Sequence, residues 1–261
     1  LEYNKDNKTL NLDWCENYDE IDSDYIIDCR GKPKSLDKYN KLVNPLNCAL
    51  LSELPFKKND VKWTRAIAHK NGWCFYIPLP DTVSVGYLFN NTITSVEEAK
   101  KDFKKTFKVK KIKQVFPFDQ YIAKEPIVDK RVLLNGNKLF FLEPLEATAM
   151  TSYNHFIKIY YDYMFNGYNE ITTKVKIYDY LTKIQNFILW QYSKNTFYNT
   201  KFWKYSKTLY KKHDTSDIEK YMGSVKHMSQ LDTRKNLYDV NDVFGQWQKW
   251  NMRIFYENKS A

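Results

Sequence analysis

Two short segments depart from the Lys- and Asn-rich background of the chain, and both carry residues suited to chemistry. The first is Phe141-Leu142-Glu143-Pro144-Leu145-Glu146-Ala147-Thr148-Ala149, which runs straight into a stretch with helical spacing. Glu146 therefore stands just before a helix N-terminus, where free backbone N–H groups and the positive end of the helix dipole favour negative charge. A carboxylate in that place can cap the helix. The same backbone groups can also hold a small anion. The second segment is Gly72-Trp73-Cys74-Phe75-Tyr76-Ile77-Pro78-Leu79, a strand-like run with three aromatic residues that ends at Pro78. Spacing by itself gives a core strand here.

The elements that must position these segments follow from periodicity. The first half of the chain alternates as strands do, and the second half has helical spacing, the order expected of an α+β arrangement. Leu1 and Tyr3, a polar turn at Asn4 to Asn7, and then Leu10, Leu12 and Trp14 form an opening hairpin. Asp24 to Asp28 is a short apolar strand ending at Gly31. Further strands are expected at Asn47 to Leu54, Trp63 to His69, Trp73 to Leu79 and Val83 to Phe89, with Asn71-Gly72 as a two-residue hairpin turn. Ser95-Val96-Glu97-Glu98 has the form of a capping box, so a helix carrying Ala99, Phe103 and Phe107 begins there. Short strands follow near Lys113 to Phe116 and Val132 to Leu134. From Thr148 onward helices are expected through Ile157 to Met164, Val175 to Tyr192, Phe202 to Tyr210 and Trp247 to Phe255. Asp214, Asp217 and Glu219 mark a further helix start. The expectation is a mainly antiparallel sheet up to about residue 145, with one helix at 95 to 107, followed by a helical region.

Composition narrows the partners. With 43% hydrophobic and 28% charged residues the chain belongs with globular proteins that fold around a core. The net charge of +10 is concentrated in lysines between Lys100 and Lys113, but no nucleic-acid-binding motif surrounds them, so a solvated helix face is expected and nucleic acid is not. Cys15, Cys29, Cys48 and Cys74 have no CxxC or His spacing, and the four histidines His69, His155, His213 and His227 share none either, so no metal site is expected. No apolar run approaches the ~20 residues needed to span a bilayer, and no signal segment opens the chain. A cytoplasmic protein without membrane partners is the expectation. The chain starts on Leu1 inside a hairpin, so a natural start is not expected there.

Four motifs, in order, resemble the flavin-dependent halogenases of the tryptophan-halogenase type. Asp24 to Gly31 (DYIIDCRG) is similar to that family's DxxIDCSG strand, with Arg30 where Ser is usual. Trp73, Ile77 and Pro78 match its WxWxIP signature, with Phe75 in place of the second Trp. Val85 to Phe89 and Glu97-Glu98-Ala99 look like its GYVY strand and EEA helix start. Phe141 to Ala149 resembles its F-x-EPLE-[AS]-T-[GA] segment, with Ala149 in place of the commoner Gly. The resemblance covers roughly residues 20 to 155, and the glycine-rich GxGxxG turn of the family is absent.

The resemblance implies an antiparallel substrate domain of a glutathione-reductase-type flavoprotein. It divides the chain into a remnant of the FAD-binding domain at 1–35, a sheet domain at 36–146 and a helical region at 147–261. It implies hypohalous acid made at a reduced flavin and delivered through a tunnel to an aromatic, tryptophan- or indole-like substrate. Glu146 then positions the electrophilic halogen as the catalytic residue. Thr148 and Ala149 offer groups to the halide, Asp28 and Gly31 lie with the FAD, and Trp73, Phe75, Ile77 and Pro78 separate flavin from substrate. A halide ion, an aromatic small molecule and a flavin reductase are the implied partners, and FAD should bind this chain weakly or not at all. The aromatic set Tyr153, Phe156, Trp190, Tyr192, Trp203, Trp247 and Trp250 could line an aromatic pocket or simply form core. Two alternatives stay open: a related flavin monooxygenase or reductase domain, and a non-catalytic remnant that binds a small molecule or a partner.

Overall fold

A computed structural model describes residues 2–4, 9–11, 17–57, 61–145, 148–194, 197–230, 243–244, 247–248, 252 and 256. The opening hairpin is present as β1 (Glu2–Asn4) and β2 (Thr9–Asn11), paired antiparallel with Tyr3 opposite Leu10. The centre of the fold is a five-stranded antiparallel sheet. Its strands are β5 (Cys48–Pro55), β6 (Arg65–His69), β7 (Gly72–Pro78), β8 (Thr82–Phe89) and β9 (Gln114–Pro117), in the order β6-β7-β8-β5-β9. The two-residue β6–β7 link is Lys70-Asn71, one residue earlier than the expected Asn71-Gly72, because Gly72 already pairs with His69 as the first residue of β7. Gly72 has φ 153°, and a Cβ on it would lie 1.9 Å from the Leu88 carbonyl oxygen.

Both faces of this sheet are covered, and strand alternation decides which residue serves which face. Cys48, Leu50, Cys74, Val83, Val85, Tyr87 and Phe89 pack under helix α1 (Val96–Phe107) with Ala99 and Phe103. Ser95 caps this helix by accepting the Glu98 N–H at 3.2 Å, and Lys108 closes it in the left-handed conformation. On the opposite face Ala49, Trp73 and Leu88, with Phe75 and Leu51 against them, join a larger core made with the helices.

Two small sheets flank the large one. β4 (Tyr39–Lys41), β10 (Tyr121–Ala123) and β13 (Phe140–Phe141) form one, in the order β13-β10-β4. The other joins β3 (Ile26–Asp28), β11 (Ile127–Val128) and β12 (Val132–Leu134), and here β3 runs parallel to β12. This parallel pair departs from the antiparallel expectation, because β3 finds its partner more than 100 residues away, beyond the reach of any hairpin signal. Four helices follow: α2 (Thr148–Phe165), α3 (Glu170–Ser193), α4 (Lys201–Lys212) and α5 (Ser216–Gln230). Asn169 caps α3 by accepting the Thr172 N–H at 2.8 Å. Ile177, Leu181, Ile184 and Ile188 of α3 face the large core, while Phe187, Leu189 and Trp190 enter a third core with α5.

The helix expected from Trp247 to Phe255 is corrected at its start. Trp247 and Gln248 form β15 (Trp247–Gln248), paired antiparallel with β14 (Val243–Phe244) in a register that sets Phe244 opposite Trp247. Aromatic residues flanking a two-residue link that contains Gly carry a hairpin signal, which outweighs the 3.6-residue spacing read there. Trp63 is 66% exposed and lies before β6 rather than in it.

Gly86 stands directly opposite Phe75, and a Cβ on it would lie 2.2 Å from that ring. Gly86→Ala should therefore cost about 1–3 kcal/mol by forcing the ring aside. Urea unfolding should show a lower midpoint at unchanged slope, and adding Phe75→Leu should restore part of the loss, because the two sites are coupled through one contact.

Candidate functional site

On the large-core face β7 presents Trp73 and Phe75, whose ring centroids are 6.3 Å apart. Opposite them on β6 stand Ala68 and Ala66. Two alanines facing two large rings leave room at the sheet edge, and a cavity of about 180 Å³ opens there. Leu145 closes it from the segment between β13 and α2, Gln191 and Tyr192 from the end of α3, and Trp203 from α4. Helix α4 is held to the sheet edge by the Trp203 indole N–H, which donates to the His69 carbonyl at 2.8 Å, and by the Thr200 hydroxyl, which donates to the Lys70 carbonyl.

Behind the Trp73 wall lies a fully buried carboxyl group. Glu143 has no exposed surface, and the Tyr192 hydroxyl donates to it at 2.8 Å. Its backbone N–H donates to Gln120 Oε1 at 3.2 Å, and Gln120 in turn donates to the Leu46 carbonyl at 3.0 Å. Burial pushes the Glu143 carboxyl up to about 7, against the downward pull of Tyr192, Asn44 and Trp73. Among the described residues only the Tyr192 contact completes a hydrogen bond to the side chain. Asn44 Nδ2, Trp73 Nε1 and Glu143 Oε1 are buried without one. The same burial, and the adjoining Glu143, hold the Tyr192 phenol well above its usual value.

The residues singled out in the sequence are distributed unevenly around this centre. Glu146 lies outside the described residues. Thr148 opens α2, 1% exposed, with its Oγ1 buried and unpartnered and its carbonyl accepting the Ser152 hydroxyl at 2.8 Å. Ala149 follows it, half-buried. Trp73, Phe75 and Ile77 share one face of β7 by alternation, whereas Pro78 is on the other and about 16 Å along the strand from Trp73. Of the aromatic set, Tyr192 and Trp203 reach the cavity. Phe156 packs into the large core, Trp190 and Trp247 belong to the third core, Tyr153 donates its hydroxyl to Asn137 Oδ1 at 2.7 Å, and Trp250 lies outside the described residues.

Asp28 and Gly31 lie away from the cavity, at the end of β3. Asp28 is 3% exposed, and its oxygens are filled by the protein's own donors. Oδ1 accepts the Arg30 backbone N–H and Nε–H, both at 3.0 Å, and Oδ2 accepts the Tyr18 hydroxyl at 2.5 Å and the Arg30 Nη2–H at 3.1 Å. Burial raises the pKa of this carboxyl, but the Arg30 and Tyr18 hydrogen bonds outweigh it and leave the group below its ordinary value. Four donors occupy the roughly four lone-pair sites of a carboxylate, so Asp28 is satisfied within the chain. Gly31 has φ 48° with open space around it.

Sequence reasoning passed over Glu143 and Gln191. A signal for Glu143 existed: one carboxylate inside the apolar run Phe141-Leu142-Glu143-Pro144-Leu145 must be buried with partners or break the core. Gln191, whose Nε2 is buried and unpartnered beside the cavity, carried none.

Comparisons with known proteins bear on the family and the fold. Tryptophan 7-halogenase KtzQ of Kutzneria sp. (strain 744) is 27% identical over 142 residues, which are 49% of this chain and 26% of that protein. Among solved structures, MibH, a lathipeptide tryptophan 5-halogenase, superposes with a TM-score of 0.65 at 20% identity over 78% of this chain and 41% of its own. The tryptophan 6-halogenase SttH from Streptomyces toxytricini gives a TM-score of 0.60 at 19% identity, covering 72% of this chain and 40% of its own. BrvH, a flavin-dependent halogenase from Brevundimonas sp. BAL3, gives 0.59 at 19% identity, with 71% and 40% covered. This chain thus spans about two-fifths of the structures it matches and about a quarter of the curated relative. The tryptophan halogenase family model matches residues 6–248, and the chain belongs to that family.

Proposed function

We propose that this chain forms the substrate-facing part of a flavin-dependent halogenase acting on a small aromatic, indole-like molecule. The observation that carries the reading is the cavity walled by Trp73, Tyr192 and Trp203 and closed by Leu145, the neighbour of Glu146. Its 180 Å³ is below the roughly 300–1,000 Å³ of drug-sized ligand pockets, so it suits a single small ring system. Aromatic walls orient a flat substrate by stacking and edge contacts, and their apolar surroundings exclude water from the reacting carbon.

In this reading Glu146 orients the electrophilic halogen toward the bound ring. Thr148, with its unpartnered buried hydroxyl at the start of an 18-residue helix, and Ala149 beside it hold the halide where backbone N–H groups and the helix dipole favour an anion. Trp73 and Phe75, with Ile77 and Pro78 farther along β7, separate the substrate from the flavin side. The flavin supplies the oxidising chemistry when bound, reduced by a separate reductase. Residues 1–35 mark the return from the flavin-binding part, 36–146 the sheet domain and 147–261 the C-terminal region whose helices α3 and α4 supply the cavity wall. No helix among the described residues is long and apolar enough to cross a membrane.

Two outcomes test this reading. Because Asp28 is saturated by Arg30 and Tyr18 and no glycine-rich cradle is present, equilibrium dialysis should find FAD bound weakly or not at all by the 261 residues. Tight, stoichiometric FAD would contradict it. When the chain is joined to a flavin-binding segment of the family, Glu146→Gln should keep the fold and lower halogenation by about 10²-fold or more. If Glu146 only capped α2, the change would instead lower stability by about 1 kcal/mol and leave turnover intact; melting temperature and product formation measured on one preparation separate the two.

A further inference from the structure

Glu143 is a carboxyl group with no exposed surface, held by elements that are distant in sequence. Tyr192 reaches it from the end of α3, Trp73 from the start of β7, and Asn44 from the segment between β4 and β5. Gln120, just before β10, holds its backbone N–H. Tyr192 and Trp73 are also two walls of the cavity, and Leu145, two residues after Glu143, is a third.

We propose that Glu143 is a positioning residue whose ionised carboxylate gathers Tyr192, Trp73 and Asn44 and thereby fixes both the Trp73 wall of the cavity and the turn leading to Glu146. The chemical asymmetry between its two protonation states supports this. A carboxylate has acceptor sites enough for all three donors, of which Tyr192 already uses one. A neutral carboxyl gives up acceptor capacity and brings an O–H of its own, which has few places to go: Asn44 Oδ1 already accepts the Leu46 N–H at 2.8 Å, and Gln120 Oε1 accepts the Glu143 N–H. Asn44 Nδ2, Trp73 Nε1 and Glu143 Oε1 are all buried without a completed hydrogen bond, and ionisation strengthens Oε1 as the acceptor toward which both donors are drawn.

The groups packed against Glu143 leave it as the titrating member of the set near neutral pH. From α3 it meets Tyr192, whose phenol is held well above its usual value and stays neutral. Trp73, Asn44 and Gln120 do not titrate. On its own segment Glu146 lies three residues on, outside the described residues. Among the described residues no Lys, Arg or His side chain contributes to its titration, so neutral donors alone favour the ionised form, and burial keeps its pKa at about 7. The sign of the linkage follows. A carboxyl whose folded pKa lies above its unfolded value costs the fold stability as pH rises from the ordinary carboxylate range to about 7, after which the penalty is constant. The clamp is thus tightest where the fold bears its cost.

The role of the turn in halogenation is the reading proposed above, but the test does not use that activity, so failure of either leaves the other standing. The probe is the indole Nε1–H resonance of Trp73 in a ¹H–¹⁵N spectrum of the full chain, identified by its loss in Trp73→Phe. In the wild type it should move with pH about a midpoint near 7, and in Glu143→Gln it should be independent of pH. Tyr192→Phe removes a donor to the ionised form, so the midpoint should rise; this variant decides the matter if Glu143→Gln does not fold. Melting temperature should fall from mildly acid to neutral pH in the wild type relative to Glu143→Gln. An indole resonance fixed across neutral pH in the wild type, one that still titrates in Glu143→Gln, or a midpoint unmoved or lowered in Tyr192→Phe would overturn the proposal.

Discussion

A strand buried on both faces must satisfy two different neighbours with alternate residues, and β7 is the strand on which this protein depends most. Cys74 and Tyr76 pack toward α1, while Trp73 and Phe75 pack toward the helices of the C-terminal half. Slipping the register by one residue would exchange the two sets and lose both cores at once. That register is held by β6 and β8, and within β8 by the single glycine that leaves space for the Phe75 ring. Every feature of the candidate site hangs on it, because it decides that Trp73 faces the helices at all.

The second constraint is polar. Glu143 and Asp28 are both almost wholly buried, and their surroundings push them in opposite directions. Asp28 meets the Arg30 guanidinium, which overcomes desolvation and keeps the group charged. Among the described residues Glu143 meets only neutral donors, so desolvation prevails and its pKa rises to about 7. The same chemical group, a carboxyl, is thus a closed ion pair at one place and a titratable centre beside a cavity at the other. A buried carboxyl poised near neutrality, next to an aromatic cavity, is the arrangement from which functional sites are commonly built.

The helices supply the remaining wall. The rings of Tyr192 at the end of α3 and Trp203 near the start of α4 meet at a tilt of 34° with centroids 5.8 Å apart, and α4 is tied to the β6 edge through His69 and Lys70 carbonyl groups. Helix α3 can do this because it is apolar around much of its circumference and is embedded between two cores rather than lying on one. The cavity is therefore bounded by elements from both halves of the chain.

Much of this was legible in the residues. Alternation at Cys48 to Leu54 and Val83 to Phe89, a two-residue hairpin link next to Gly72 and the Ser95 cap are local signals, and local signals survive into the fold because they reflect backbone sterics and neighbouring hydrogen bonds. The order of the Asp24, Trp73, Glu97 and Phe141 motifs pointed to the family for the same reason: each is a contiguous stretch. What sequence could not decide was which distant groups meet. The parallel pairing of β3 with β12, the Tyr18 hydroxyl on Asp28, and the meeting of Glu143 with Tyr192, Trp73 and Asn44 all join segments brought together only by packing. Burial, and with it the pKa of a carboxyl group, is a property of that assembled neighbourhood, so Glu143 and Glu146 look alike in the EPLE run and only the tertiary structure gives the first its place at the centre of the site.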